Sequence, residues 1–163
     1  MHSKPTINVF WFKRDLRILD NEGLQNAIES NTPLLLLYVF EPSLEKNSHY
    51  HQRHWNFVKQ SIACLNQELN PYKTKIHCVR GELTVVLDDL NNTWHIKTLF
   101  SMQETGLNCT FNRDKKVKKW CDEQNTHWVE HINNGVFRGL TNRAHWRDYW
   151  TNYMMQPLSL IHI

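Results

Sequence analysis

The sequence predicts a doubly wound α/β domain, a Rossmann-like five-stranded parallel sheet with helices on both faces. Three observations carry this. Short apolar runs alternate with stretches of helical periodicity in the order β-α-β-α-β-α-β-α-β. The run Leu34-Leu35-Leu36-Leu37-Tyr38-Val39-Phe40 is apolar on both faces, as a central parallel strand is. The βα units are too few to close a barrel. At 163 residues the chain suits one domain with a sizeable core.

The first strand is expected over Ile7 to Phe12, ending abruptly in the charged Lys13-Arg14-Asp15-Leu16-Arg17. Asp20 can N-cap the next helix, whose inner face is Leu24, Ala27 and Ile28. Pro33 stops it, and the second strand runs from Leu34 to Phe40 before Glu41-Pro42. Ser43 to Ser48 reads as a polar loop. A long helix, roughly His49 to Leu69, carries Trp55, Val58, Ile62, Leu65 and Leu69 in one stripe. Lys75 to Arg80 alternates as a third strand, and Gly81 turns into a helix with Leu83, Val86, Leu87 and Leu90 inward. A fourth strand spans Thr98 to Met102, followed by the loop Gln103-Glu104-Thr105-Gly106. The helix Asn112 to Gln124 places Val117, Trp120 and Cys121 inside and Lys115, Lys116, Lys118 and Lys119 outside. His127 to Ile132 is the fifth strand. Beyond it Thr141 can cap an aromatic helix bearing Trp146, Trp150 and Tyr153 or Met154 on one side.

Composition is that of an ordinary globular protein, 40% hydrophobic and 21% charged. Seven Trp make it aromatic-rich, so some rings should lie on a surface that expects a partner. The net charge of +3 is compatible with nucleic acid without arguing for it. Cys64, Cys78, Cys109 and Cys121 form no C-x-x-C pair and read as reduced thiols. There is no signal-peptide layout, and the longest apolar run is too short to span a bilayer, so a cytoplasmic protein is expected.

No G-x-G-x-x-G follows the first strand, and neither a G-x-x-x-x-G-K-[ST] loop nor a G-x-S-x-G elbow occurs. A self-contained dehydrogenase, nucleotide hydrolase or esterase is thereby disfavoured. His49, His51 and His54 cluster without a Cys or Asp to complete a metal site, and read as surface histidines. The lysines of 115–119 read as a solvated helix face. Asp15, between Arg14 and Arg17, either fixes its loop or walls a ligand site or domain interface. Glu104 either caps a turn or accepts from a ring N–H of a heterocycle. Arg53 opens its helix against the dipole, which hints at an anionic or acceptor partner. No residue is assigned a catalytic or metal-binding role.

Val9-Phe10-Trp11-Phe12-Lys13-Arg14-Asp15-Leu16-Arg17 with Asp20-Asn21 resembles the opening of the photolyase/cryptochrome family, W-F-R-[RK]-D-L-R-x-x-D-N. In chain order follow Tyr38-Val39-Phe40-Glu41-Pro42, Arg53 opening a helix, and Gly81-Glu82. Gln103-Glu104-Thr105-Gly106 with Thr110-Phe111-Asn112-Arg113-Asp114 resembles the E-E-T-G…T-[YF]-x-R-D of one bacterial branch. Asn134-Gly135-Val136 with Arg138, Leu140, Arg143 and Trp146 resembles that branch's linker. The resemblance covers residues 7 to 158.

It implies an amino-terminal antenna-type α/β domain over residues 1–132 and the start of an interdomain linker with an amphipathic helix over 133–157. The helical FAD-binding domain, which in the family repairs pyrimidine dimers in damaged DNA with light, is absent, and the chain alone is expected to be non-catalytic. The implied partners are that FAD domain and, through it, DNA, with no membrane. The implied antenna chromophore is a folate, a deazaflavin or FMN, and the candidate pocket residues are Phe12, Lys13, Phe40, Glu41, Arg53, Gln103 and Glu104. Arg53 and Glu104 come from matching the family's deazaflavin or flavin site. A cryptochrome-type blue-light receptor is the alternative, and a stand-alone nucleotide-binding module a third. Residues 158–163 depart from the family and match what a transposon sequencing adapter encodes, so they read as a non-native tail. Sequencing an unbroken genomic clone tests this. Coding sequence continuing past codon 157 into an FAD-binding domain is expected; a stop codon there in adapter-free DNA overturns it.

Overall fold

A computed structural model describes residues 4–158. The five strands are β1 (Thr6–Phe12), β2 (Leu34–Phe40), β3 (His77–Arg80), β4 (His95–Met102) and β5 (His127–His131), all parallel, in the order β3-β2-β1-β4-β5. The helices are α1 (Glu22–Glu29), α2 (Pro42–Glu45), α3 (Gln52–Leu69), α4 (Leu83–Thr93), α5 (Asn108–Gln124) and α6 (Trp146–Met154). This is the doubly wound α/β fold expected from the alternation.

Two apolar layers hold the sheet. On one face Phe10, Phe12 and Tyr38 pack with Leu24 and Ala27 of α1 and Ile62, Leu65 and Leu69 of α3. On the other Val9, Trp11, Leu37 and Leu99 pack with Leu83, Val86 and Leu87 of α4 and Val117, Trp120 and Cys121 of α5. The strict alternation of Val9, Phe10, Trp11 and Phe12 between the layers follows from the two-residue side-chain period of a strand. Burial pushes the Cys121 thiol up to about 12, which makes it an inert part of this core. No helix of the described residues is long and apolar enough to cross a membrane.

Several boundaries differ from expectation for physical reasons. Asp20 takes a left-handed φ of 50°, so Asn21 is the cap of α1. The Asn21 Oδ1 accepts from the Leu24 amide at 3.0 Å and its Nδ2 donates to the Arg17 carbonyl at 3.1 Å. Ile28 is 41% exposed, because α1 turns Gly23, Leu24 and Ala27 toward the sheet. Pro42 starts the short α2 where a loop was expected, its preset φ suiting the first helical position. Helix α3 starts three residues later than expected, at Gln52, and α5 four earlier, at Asn108. Strand β3 is shorter than expected and fully exposed, an edge strand following the buried Ile76.

Helix α6 begins at Trp146, not near Thr141. Tyr153 Oη donates to the Ile132 carbonyl at 2.6 Å, and Phe137 packs on Tyr149 and Tyr153. Trp146, Trp150 and Met154 remain largely exposed. The residues 159–163 of the expected tail lie outside the described residues.

Gly23 places α1 hard against the sheet. A Cβ there would sit 3.0 Å from Met102 Sδ, 3.1 Å from His131 Cδ2 and 3.2 Å from Phe10 Cε2. Overpacking costs about 1–3 kcal/mol, more than the up to about 1 kcal/mol that alanine gains in helix propensity. Gly23→Ala is therefore expected to lower stability, and urea denaturation checks it; an unchanged or higher midpoint contradicts the tight contact.

Candidate functional site: a cleft at the strand ends

The chain winds outward from β1 to β2 and β3, then returns to lay β4 on the other side of β1. The carboxyl ends of β1 and β4 therefore flank the switch point where open α/β sheets place ligands. A cleft of about 600 Å³ opens on this side, lined mainly by Phe12, Tyr38, Tyr50, Trp55, Val58 and Leu107 with the charged Lys13, Arg14, Glu41, Glu104 and Arg113. Its walls are predominantly apolar and aromatic with a few polar groups, the usual character of a small-molecule site.

The charged groups form one cluster. Arg113, from the first turns of α5, donates through Nη1 to Glu41 Oε1 at 3.0 Å, through Nη2 to Glu104 Oε2 at 2.6 Å, and through Nε and Nη2 to Asp114 Oδ1 at 3.1 and 3.0 Å. Arg14 Nε reaches Glu104 Oε1 at 2.8 Å. Lys13 Nζ donates to Asp114 Oδ2 at 3.2 Å and Glu130 Oε1 at 3.3 Å. Lys13 and Arg113 also approach the Trp11 ring, at 4.4 and 4.6 Å from its centroid. Arg138, beyond β5, donates to Glu130 and to the Glu104 carbonyl. The cluster thus balances four cations, Lys13, Arg14, Arg113 and Arg138, against Glu41, Glu104, Asp114 and Glu130.

Burial makes these pairings consequential. The Lys13 and Glu41 side chains are each only 2% exposed. Burial alone would lower the Arg113 pKa, but Glu41, Glu104 and Asp114 together raise it. Burial raises the Glu41 carboxyl above its usual range, against the opposing pull of Arg113 and, more weakly, the Leu83 amide. Glu41 Oε2 and Trp55 Nε1 are both buried without a well-formed hydrogen bond. Asp15 is buried too. Its Oδ1 accepts from the Lys13 amide at 3.1 Å, and burial raises its pKa. Asp15 fixes the turn after β1 and is not part of the cleft lining.

The family model for DNA photolyase matches residues 8–140. The chain belongs to the DNA photolyase family. Cryptochrome-2 of Gallus gallus is 32% identical over 92 residues, 56% of this chain and 16% of that protein. Cryptochrome-1 of Macaca fascicularis is 24% identical over 129 residues, 79% of this chain and 22% of that one. Among solved structures, the Sulfolobus tokodaii archaeal photolyase with two FAD molecules superposes with a TM-score of 0.73 at 19% identity, covering 93% of this chain and 35% of that one. The Synechocystis cryptochrome gives a TM-score of 0.75 at 20% identity, over 82% and 29% of the two chains. This photolyase-family chain spans between 16% and 35% of the length of these relatives.

Of the residues picked out in the sequence, Phe12, Lys13, Glu41 and Glu104 meet in the cleft. Phe40 and Gln103 lie outside its lining. Phe40 packs against Tyr38 and Trp55 behind the wall, and the Gln103 amide donates to the His131 carbonyl at 2.7 Å. Arg53 is exposed on the first turn of α3 and also lies outside the lining. The sequence pattern does not mark Arg113, Tyr38, Tyr50 and Trp55 as cleft residues, nor Asp114 as the partner of Lys13 and Arg113 behind them. Arg113-Asp114 stands in the family-like T-F-N-R-D run, a signal that was available. The aromatic wall carried none, since Trp55 reads equally well as core. Among the described residues no group of three or more His, Cys, Asp or Glu is arranged to hold a metal ion.

Arg113→Met keeps the aliphatic stem but leaves three carboxylates short of a partner. Breaking a buried ion cluster in this way costs about 3–5 kcal/mol. Arg113→Lys is expected to restore little, because an ammonium cannot fork to three carboxylates from one position. Chemical denaturation of the two variants checks this, and full rescue by lysine contradicts it.

Proposed function

We propose that this chain is the antenna-type α/β domain of a light-driven DNA photolyase, with a flavin-type chromophore in the cleft. The observation that supports it most is the aromatic cleft at the switch point, walled by Phe12, Tyr38 and Trp55. Its size suits a tricyclic ring. Lys13, Arg14, Glu41, Glu104 and Arg113 give this apolar slot a polar border, which suits a flat ring with carbonyl and N–H edges, whether a flavin, a deazaflavin or a folate pterin. When bound, such a group would absorb light and pass the excitation to a second flavin.

The chain's own residues would hold, orient and dry the ring. Phe12, Tyr38 and Trp55 supply flat apolar contact. Glu41 is oriented by Arg113, and Arg14 reaches Tyr50 Oη at 3.4 Å at the rim. The splitting of pyrimidine dimers is assigned to an FAD-binding helical domain following residues 133–157, which would also contact damaged DNA. The exposed aromatic face of α6 suits packing against that domain. A cryptochrome-type blue-light receptor is the second reading, favoured by the cryptochromes among the sequence relatives.

Titration of the protein with FMN, followed by flavin fluorescence and absorption, tests the cleft. Saturable binding at one equivalent is expected, weakened by Trp55→Leu, which removes the flat aromatic wall. The same protein with added FAD should not split pyrimidine dimers under light. Absence of FMN binding overturns the chromophore site, and any dimer turnover overturns the assignment of chemistry to another domain.

A further inference from the structure

We propose that the β3 side of the domain is a nucleic-acid contact, on which Lys59, Lys73 and Lys75 engage the phosphate backbone without reading sequence. The proposal goes beyond the cleft and its chromophore, and beyond the DNA contact assigned above to a helical domain.

The cations of this chain are unevenly spread. Residues 56–80 hold Lys59, Lys73, Lys75 and Arg80 against Glu68 alone, in a chain with 19 Lys and Arg and 16 Asp and Glu. The fold gathers the three lysines along one edge of the sheet. Asn66 of α3 accepts the Ile76 amide through Oδ1 at 2.7 Å, which ties that side of the helix to the start of β3. Lys59 precedes Asn66 by two helical turns, so it stands on the same side, about 10 Å along the axis. Glu68 follows Ser61 of the cleft lining by the same interval and falls on the opposite flank. From α3 the chain passes through the 3-10 turn Asn70–Tyr72 to Lys73 and Lys75, directly ahead of β3. Ile76 is buried in the layer beneath α3, so Lys75 and His77 point to the other side of the strand, and both are exposed. The lysines thus flank the edge from both sides. Strand β3 itself has no neighbour on its outer side, which leaves outward backbone N–H groups free. Ammonium heads and backbone N–H groups are both donors to phosphate oxygens.

These charges are open. The side chains of Lys59, Lys73 and Lys75 have no hydrogen-bond or ion-pair partner among the described residues. The lysine run of α5 differs. Lys118 and Lys119 are paired one turn on with Asp122 and Glu123 at 2.6 and 3.6 Å, and Lys115 lies 4.4 Å over the Phe111 ring. At the far end of β3 Arg80 is held by Glu45 at 2.8 Å.

Protection of an exposed sheet edge accounts for Lys73 and Lys75 but not for Lys59, which lies on a helix. Lys73 also takes a left-handed φ of 54°, which glycine or asparagine adopts at less cost, so the turn itself does not call for lysine. The three lysines border neither the cleft nor the smaller cavities beside α5 and α6. They offer charge without an apolar anchor. That suits a uniform phosphate track better than a folded protein, whose affinity comes from buried hot spots.

Fluorescence anisotropy of the full chain with a labelled DNA duplex of arbitrary sequence tests this. Binding at about 20 mM salt is expected, with log K falling on log salt at a slope of about −3, the release expected from three phosphate contacts. Lys59→Gln should make the slope shallower by about one. The triple variant Lys59→Gln/Lys73→Gln/Lys75→Gln should lose at least about tenfold in affinity at low salt. Lys116→Gln/Lys118→Gln/Lys119→Gln on α5 removes the same charge and should lose far less. Equal loss in the two triple variants, poly-glutamate bound as tightly as the duplex, or no binding at low salt each overturns the proposal, and each leaves the cleft reading as it was.

Discussion

One guanidinium ties the functional end of this domain together. Arg113 bridges Glu41 at the end of β2, Glu104 at the end of β4 and its own neighbour Asp114 on α5. Lys13 and Arg14, at the end of β1, close the circuit onto Asp114 and Glu104. A carboxylate at a buried strand end is costly unless paired, so each acid constrains where its partner must stand. The positions of three strand ends and one helix are linked in this way. The cleft wall is thereby a rigid, charge-balanced surface.

Within the cluster, against the effect of burial, Glu41, Glu104 and Asp114 raise the Arg113 pKa and so hold its charge, while burial raises that of Glu41. The same cluster reaches beyond the cleft. Glu104 holds Arg14 and Arg113 with its carboxylate and accepts from Arg138 with its carbonyl. The segment after β5 is thus fastened to the turn that borders the cleft. Gly135, at a φ of 68°, lies so close to Trp150 that a Cβ would stand 2.8 Å from its Cδ1. Linker and α6 fold back as one unit on the end of the sheet.

The tryptophans divide by environment. Trp11 and Trp120 are core residues, and Trp120 Nε1 donates to Asp88 at 2.6 Å. Trp55 is buried on the cleft wall, with its N–H lacking a partner. Trp146 and Trp150 are turned outward. Aromatic content alone therefore said that some rings face partners, without saying which.

The sheet was legible because its signals are local. Leu34–Phe40 was bounded correctly to the residue, since a run apolar on both faces between Pro33 and Glu41-Pro42 admits one structure. Helix starts were less legible. The φ of Asp20 moved the cap to Asn21, α3 starts from a capping box made by His51 and His54, and α5 begins without a side-chain cap, none of which periodicity can find. Of the site, Phe12, Lys13, Glu41 and Glu104 could be placed from strand ends, because a doubly wound sheet gathers those ends together. The motif order identified the family. The partners could not be read. Lys13 meets Asp114 across 101 positions of sequence and Arg113 meets Glu41 across 72. By itself the sequence determined the order of elements, the two apolar layers and which strand ends carry charge. Only the tertiary structure decided which charges neutralise one another. Pairing of that kind depends on distances between segments that no local pattern encodes.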